Sequence, residues 1–136
     1  FDHVISTHVC RGNYHSTWAA RGGYLPIAPL LFAREKVHTL YLEFDDERSG
    51  GFAPLRYVSP DKTVVLGLVT TKRPDLEDPE RIRERIKEAA QYVPLSRLSL
   101  SPQCGFASTE IGNKLTEEDQ WKKIALVRDI AQTVWG

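Results

Sequence analysis

Strand-like segments recur four times along this chain, separated by helix-like and loop segments, and that order limits the possible folds more than any other feature. Residues 2–10 and 37–44 alternate two sets of side chains, as strands do. The apolar, β-branched run "TVVLGLV" at 63–69 is typical of a buried parallel strand, and "RLSLS" at 97–101 gives the fourth strand. The sequence therefore predicts an α/β fold of four consecutive βα units, with a parallel sheet and right-handed crossovers.

Local signals mark the predicted helices. Residues 29–36 read as the first helix, and Asp78 with Pro79 places a cap and a first-turn proline ahead of "ERIRERIKEAAQYV". Thr116 and Asp119 resemble a capping box that opens the last helix. The apolar residues expected to share one stripe of that helix are Trp121, Ile124, Ala125 and Ile130.

Two architectures fit this order of elements. Four βα units can form a small open sheet, but their spacing also matches half of an eight-unit barrel, which needs about 250 residues. The chain contains no methionine and starts at Phe1 inside an apolar segment, so we expect it to be a piece of something longer. No linker or repeat divides residues 1–136, which we treat as one domain.

The composition argues against some classes of binding partner. Of the 136 residues, 41% are hydrophobic and 26% are charged, and the formal net charge of zero gives no electrostatic footprint for nucleic acid or an anionic membrane. No apolar run approaches the roughly 20 residues that span a bilayer, and no signal peptide precedes the first strand, so we expect a cytoplasmic protein. The two cysteines match no disulfide-scaffold spacing, so reduced thiols are expected.

Four potential metal ligands fall at the carboxyl ends of the predicted strands. His8 and Cys10 lie two positions apart, so both project from one face of the first strand where it ends. Glu43 closes the second strand, and Cys104 follows the fourth in "SPQCGF". In a parallel sheet these positions share one edge, where α/β folds carry their chemistry. Two thiolates, an imidazole and a carboxylate favour zinc over magnesium or calcium.

Each of these residues also has a simpler explanation. A buried cysteine is usually a small hydrophobic residue, and a strand histidine is usually only hydrogen-bonded. Glu43 could form an ion pair with Arg48 or Arg56. The placement of all four residues at strand ends is what favours a shared metal site.

Four segments carry a family resemblance. "HVCRGN", "LEFDDERSG", "LGLVTTK" and "LSPQCGFAS", in this order, resemble the carboxyl-terminal catalytic barrel of the cobalamin-independent methionine synthase family, and more closely its shorter bacterial methyltetrahydropteroyltriglutamate-homocysteine methyltransferase homologues. The resemblance covers the whole chain and implies that residues 1–136 are strands 5 to 8, the second half of a TIM (β/α)8 barrel. In that family, the H-x-C pair, the strand-ending glutamate and the P-x-C-G cysteine hold a catalytic zinc. The matching positions are His8, Cys10, Glu43 and Cys104.

The resemblance also implies a reaction and its partners. A methyl group would move from N5 of 5-methyltetrahydrofolate, as its polyglutamate, to the thiol of homocysteine, forming methionine. Zinc would supply the nucleophile, because a zinc-bound thiol is deprotonated. The implied partners are homocysteine, the folate methyl donor and the missing amino-terminal half of the barrel, without nucleic acid or a membrane.

Three further residues are candidates for roles at this edge. The methionine synthases carry a proton-transferring histidine in the loop after the seventh strand, where this chain has Lys72 in "GLVTTKRP". Lys72 is therefore the candidate proton donor, with a solvated surface lysine as the alternative. Asn13 in "RGN" and Asp45 in "DDERSGG" are candidate substrate-binding residues, with ordinary loop solvation as the alternative for Asp45.

Two other functions stay open. A zinc-dependent thiol alkyltransferase could use a different electrophile, such as an epoxide, and a metal-binding fragment could lack turnover. A half-barrel leaves its edge strands and inward side chains such as Val4 and Tyr41 uncovered. We therefore expect the isolated chain to be inactive and to dimerise or aggregate.

Overall fold

A computed structural model describes residues 3–107 and 109–136; Asp2, where the first strand is predicted to begin, lies outside them, as do Phe1 and Ser108. Within the described residues the strands are β1 Ser6–Val9, β2 Thr39–Glu43, β3 Thr63–Val69 and β4 Leu98–Pro102. The α-helices are α1 Ala28–Arg34, α2 Pro79–Ala89 and α3 Glu117–Trp135. Short 3₁₀ turns lie at Glu47–Ser49, Ala53–Tyr57 and Leu95–Arg97.

The strands form one parallel sheet in the order β1-β2-β3-β4, which confirms the predicted α/β class and the predicted parallel sheet. Strands that follow one another in the chain are therefore neighbours in space. The register places His8 beside Tyr41 and Glu43 beside Gly67. All four carboxyl ends consequently meet at one edge of the sheet.

The second βα unit departs from a regular α-helical crossover. Two 3₁₀ turns, Glu47–Ser49 and Ala53–Tyr57, stand between β2 and β3 in place of a helix. Gly50, Gly51 and Pro54 interrupt this segment, and glycine and proline are poor residues for a helix interior. The connection is therefore a loop over the carboxyl edge of the sheet that carries several charged side chains.

The two faces of the sheet differ in burial. On one face, Leu40, Leu42 and Phe44 are buried with the apolar residues of β3 under the helices, as their alternation predicts. On the other face, Tyr41 is 40% exposed, and Val4, just before β1, is 82% exposed. This uncovered face agrees with the expectation that inward side chains lack a cover.

The predicted amino ends of α2 and α3 are confirmed, whereas α1, predicted over residues 29–36, is found at Ala28–Arg34. The Asp78 side chain accepts a hydrogen bond from the backbone N–H of Glu80 at 2.9 Å, and Pro79 is the first residue of α2. Thr116 and Asp119 form both hydrogen bonds of a capping box at α3. These signals lie within three residues of each other, so the sequence alone is sufficient to locate them.

The buried face of α3 differs from the predicted stripe. Ile130 is buried, but Trp121 is 59% exposed and Ile124 is also exposed, while Lys123 is completely buried. The Lys123 ammonium lies 3.0 Å from the Glu77 carboxylate, and this ion pair compensates the buried charge. Within the described residues, none of the helices has the length and apolar character that a membrane crossing requires.

Candidate metal centre

The structure brings the four predicted ligands together. His8 lies in β1, and Cys10 is the first residue after that strand. Glu43 is the last residue of β2, and Cys104 lies two residues beyond the end of β4. One donor atom from each residue can be chosen so that all four lie within 4.8 Å of one another. The parallel sheet explains this convergence, because every strand delivers its carboxyl end to the same edge.

The donor atoms form a close-set group. The Cys10 and Cys104 sulfurs are 3.6 Å apart and both thiols are free. The Cys104 sulfur lies 3.6 Å from His8 Nε2, which in turn lies 3.4 Å from Glu43 Oε1. The Cys104 thiol donates a hydrogen bond to that same carboxylate oxygen. Two sulfurs, a ring nitrogen and a carboxylate oxygen thus share a space large enough for one cation.

A left-handed turn aims the Cys104 thiol at this group. Cys104 has φ +50° and Gly105 has φ +82°. A residue with a side chain rarely adopts positive φ, and such a conformation persists only where its surroundings hold it. Glycine at 105 extends the turn without that penalty.

Glu43 is the most firmly held of the four ligands. Its side chain is buried, and Oε2 accepts a hydrogen bond from the Arg11 backbone N–H at 3.1 Å. The Tyr24 hydroxyl accepts from Glu43 N at 2.9 Å and donates to Glu43 O at 3.0 Å. Burial raises the pKa of Tyr24 to about 12, so its hydroxyl keeps the proton that the second bond needs.

Arg48 places a buried positive charge beside this carboxylate. Its guanidinium lies 3.9 Å from Glu43, 3.5 Å from Asp45 and 3.0 Å from Asp46, and it stacks over the Trp18 ring at 5.5 Å. The expected ion pair between Glu43 and Arg48 is therefore present as the longest of three contacts. It lies alongside the cluster of ligands and does not replace it.

The electrostatics of the Cys104 thiol suit a cation. Burial, the hydrogen bond to Glu43 and the charge of that carboxylate raise the pKa of Cys104 well above its ordinary value, and Cys10 adds to the effect. Without a positive charge the thiol therefore keeps its proton. A cation among these donors would stabilise the negative charge of the thiolate and so counteract the shift.

A cavity of about 260 Å³ opens beside the cluster on the uncovered face of the sheet. Its lining residues include three of the four candidate ligands and small residues of β3, β4 and the loop after β4: His8, Glu43, Cys104, Gly67, Ser101 and Gly105. A Cβ at Gly67 would lie 3.2 Å from the Leu42 carbonyl oxygen, which is tighter than ordinary contact. Glycine at this position therefore keeps the floor of the cavity open.

Lys72 and Asp45, the candidate proton donor and one candidate substrate-binding residue, contact each other. Their charged groups are 2.9 Å apart and both side chains are almost fully buried. Lys72 is thus an ion-paired residue rather than a solvated surface lysine. Asn13, the other candidate, is buried and donates to the Thr71 hydroxyl at 2.8 Å. The catalytic and substrate-binding roles of these residues stay predictions.

Several residues that support the centre cannot be recognised as such from the sequence alone. Thr71 and Gln103 lie inside the segments "LGLVTTK" and "LSPQCGFAS", and Arg11 lies in "HVCRGN". Membership in these segments of family resemblance is the only sequence feature that points to them. Tyr24 lies in no motif and contacts Glu43 across 19 positions of sequence. Only packing brings it there.

The sequence of this chain matches a known protein family and two curated relatives. The family model described as cobalamin-independent synthase, catalytic domain, matches residues 2–132. Two Bacillus subtilis (strain 168) proteins, the uncharacterized proteins YxjG and YxjH, are 56% and 55% identical to the chain over 135 residues. Each match covers 98% of this chain but only 36% of the relative, so the chain spans about a third of their length.

Two solved structures resemble the fold of this chain. A Listeria monocytogenes protein provisionally named a vitamin-B12-independent methionine synthase superposes with a TM-score of 0.74 at 43% identity, over 99% of this chain and 36% of that one. A B12-independent methionine synthase from Shewanella sp. W3-18-1, in complex with selenomethionine, gives 0.71 at 15% identity, over 98% of this chain and 40% of that one. At 15% identity the second likeness concerns the fold alone.

Proposed function

The chain belongs to the cobalamin-independent synthase family, matching its catalytic domain, and from this premise we propose that it contributes the zinc site of a methyltransferase. The proposed reaction moves a methyl group from N5 of 5-methyltetrahydrofolate, as its polyglutamate, to the homocysteine thiol and forms methionine. The observation that carries the proposal is the convergence of His8, Cys10, Glu43 and Cys104. Because the chain spans 36% of its relatives, the activity is proposed for the complete polypeptide.

Three of the donor separations match a zinc site. A tetrahedral site with bonds of about 2.3 Å to sulfur and about 2.0 to 2.2 Å to nitrogen or oxygen holds neighbouring donors roughly 3.3 to 3.8 Å apart. The matching separations are 3.6 Å between the sulfurs, 3.6 Å from Cys104 to His8 and 3.4 Å from His8 to Glu43. Cys104 and Glu43 lie closer together because the protonated thiol donates a hydrogen bond to the carboxylate, and zinc would have to separate this pair. The mixture of soft sulfur and borderline nitrogen donors favours zinc over magnesium or calcium.

The four ligands have distinct roles in this proposal. When bound, zinc would lower the pKa of a substrate thiol and so supply the nucleophile at neutral pH. Cys10 and Cys104 would contribute two anionic sulfurs, which keep the site electron-rich. Glu43 is the hardest donor, and its second oxygen is already held by the Arg11 N–H, so the carboxylate keeps its position by more than one contact.

The leaving group needs a proton, because a folate amine departs poorly unless N5 is protonated. Lys72 is the proposed donor, and its ammonium is oriented by the Asp45 carboxylate at 2.9 Å. In this proposal Asp45 orients the Lys72 ammonium. It does so in addition to, or instead of, binding a substrate ammonium group. Asn13 is proposed to shape the substrate-binding side of the loops at this edge of the sheet.

The test is methyl transfer by the complete polypeptide with and without metal. Purified protein is expected to hold one zinc per chain and to convert homocysteine to methionine with 5-methyltetrahydrofolate polyglutamate. Chelation should abolish turnover, and added zinc should restore it. Protein that binds zinc stoichiometrically yet forms no methionine with this donor would contradict the proposed reaction.

Lys72 favours one alternative within the same chemistry. It occupies the place where the methionine synthases carry histidine, and a different proton donor suits a different leaving group. A zinc-dependent thiol alkyltransferase with another electrophile, such as an epoxide, is therefore the second candidate. Supplying homocysteine with each electrophile in turn separates the two, and zinc binding without any turnover identifies a metal-binding fragment.

A further inference from the structure

We propose that Thr71 is a positioning residue for the candidate metal centre. It would do so by connecting the loops that carry Cys10 and Cys104 and by fixing the turn that aims the Cys104 thiol. This inference rests on the metal site of the proposed function, but not on the identity of the methyl donor. It assigns a role in that site to a residue outside the four ligands.

Thr71 is the centre of a buried hydrogen-bond network. It lies two residues beyond β3 and is completely buried. Its hydroxyl donates to the Gln103 backbone carbonyl at 2.9 Å and accepts from Asn13 Nδ2 at 2.8 Å. Its own carbonyl accepts from Asn113 Nδ2 at 2.9 Å. One threonine therefore ties together three segments that are 32, 58 and 42 positions away in sequence.

These bonds hold the backbone on both sides of Cys104. The Gln103 carbonyl that Thr71 binds belongs to the peptide bond preceding Cys104. Asn13 Nδ2, held by Thr71, also donates to the carbonyl of Gly105 at 3.3 Å, one residue after Cys104. The positive φ of Cys104, which its side chain disfavours, is thus enforced from outside the turn.

The same network reaches the other thiol. Asn13 lies three residues after Cys10 and is buried, so its bonds to Thr71 and Gly105 fix the Cys10 loop against the Cys104 loop. The 3.6 Å separation of the two sulfurs depends on the relative placement of these loops. Thr71 connects these two loops and therefore controls the separation of the two sulfurs.

The positioning role rests on the bonds that Thr71 and Asn13 make on either side of Cys104. These bonds are formed by side chains that are buried, so solvent does not compete for them.

The experiment compares Thr71→Val, which keeps the shape but removes the hydroxyl, with Thr71→Ser, which keeps the hydroxyl. Both are made in the complete polypeptide, and zinc affinity is measured by chelator competition, with cobalt(II) absorption reporting on thiolate geometry. Thr71→Val is expected to weaken zinc roughly 10- to 100-fold, as loss of groups that orient ligands does, and to change the sulfur-to-cobalt bands. Thr71→Ser should restore both properties.

Thr70→Val is the matched control. Thr70 is the buried neighbour of Thr71, and its hydroxyl accepts from the Lys72 N–H at 3.3 Å rather than from a cysteine loop. The same substitution there should leave zinc affinity and the cobalt spectrum unchanged. An equal loss in both variants would show a general packing effect and overturn the assignment.

Other outcomes separate this inference from the proposed function. Wild-type zinc affinity and cobalt bands in Thr71→Val would overturn the positioning role even if methyl transfer is observed. An altered spectrum in Thr71→Val, together with no methyl transfer by the wild type, would support the positioning role and count against the reaction. If Thr71→Val does not fold, Asn13→Ala removes the hold on Gly105, and an unchanged cobalt spectrum in that variant overturns the proposal.

Discussion

At the residue scale, the ligands of the candidate centre are attached to the fold in different ways. Cys10 is exposed, and its sulfur makes only long contacts within the described residues, to the Cys104 sulfur at 3.6 Å and the Gly12 N–H at 3.4 Å. Glu43, in contrast, is buried and bonded through its side chain and its backbone. Loss of Cys10 should therefore affect metal binding with little effect on folding. A change at Glu43 alters a charge inside the fold as well.

Cys10→Ser and Cys104→Ser should each abolish turnover and weaken zinc by more than the roughly 100-fold upper range for residues that merely orient ligands. A serine hydroxyl does not deprotonate to give a soft anionic donor. Glu43→Gln should cost less zinc affinity, because it removes the hardest donor. Zinc content after dialysis, measured for all three variants, checks this order. Equal retention in the three would contradict the ligand assignment.

Tyr24→Phe should destabilise the protein without removing a ligand. The substitution leaves the buried N–H and C=O of Glu43 without the hydroxyl, and two unsatisfied backbone groups cost roughly 2 to 4 kcal/mol in the free energy of unfolding. Denaturant unfolding monitored by circular dichroism measures the loss. Tyr92→Phe, at a half-exposed tyrosine, is the control and should change little.

The same residue predicts a pH dependence. The folded pKa of Tyr24, about 12, exceeds its ordinary value of 10.0, so the contribution of its protonated hydroxyl is complete below pH 10 and is lost as the pH rises through 12. The difference in unfolding free energy between wild type and Tyr24→Phe should therefore shrink over this window. A difference that stays constant from pH 9 to pH 12 would show that the hydroxyl is not the cause.

At the element scale, a buried ion pair joins α3 to the loop before α2. The Lys123 ammonium contacts the Glu77 carboxylate at 3.0 Å, and the same carboxylate accepts from the Thr70 N–H at 2.9 Å. The pair thus connects the last helix to the end of β3, next to Thr71. This element-level contact holds the loop that carries Lys72.

Lys123→Met should lower the free energy of unfolding by roughly 1 to 3 kcal/mol, because it removes the charged partner of Glu77, whose side chain is 20% exposed. Lys122→Met is a matched control, since Lys122 is an exposed neighbour that pairs with the exposed Glu118. It should have no measurable effect on stability. Similar losses at the two positions would show that helix propensity, and not the buried pair, is responsible.

At the scale of the whole molecule, the described residues place helices on one face of the sheet and no helix over the other. The uncovered face includes Tyr41 and the cavity beside the metal ligands, and β1 and β4 are its open edges. Relatives that contain this segment are nearly three times as long, since 135 matched residues are 36% of their length. The assignment of residues 1–136 to strands 5 to 8 of a barrel stays a prediction.

The isolated chain is expected to dimerise or aggregate and to lack methyl transfer. Open edge strands and exposed apolar side chains such as Val4 and Tyr41 favour association with an identical copy. Sedimentation velocity over a range of concentrations measures this. Tyr41→Lys places a charge on the uncovered face and should shift the chain towards monomer. A stable wild-type monomer, or measurable turnover by the isolated chain, would contradict this prediction.

Local patterns are sufficient to predict much of this structure. The 63–69 run is found as β3 without a change in either boundary, and the Asp78 and Thr116 caps lie where their side chains indicate. Strand ends then identify the ligand positions, because parallel strands share one carboxyl edge. The stripe on α3 is wrong in part, since helical period alone does not show that Lys123 has a buried partner in Glu77.

The sequence by itself thus determined the alternation of elements, the helix caps and the convergence of the four candidate ligands, which depend on residues close together in the chain or on the general geometry of parallel sheets. The tertiary structure alone decided how Tyr24 supports Glu43, how Lys72 pairs with Asp45, and how Thr71 connects the cysteine loops. These contacts join residues 19 to 32 positions apart. Their partners are set by how loops pack over the sheet edge, and no local propensity encodes that packing.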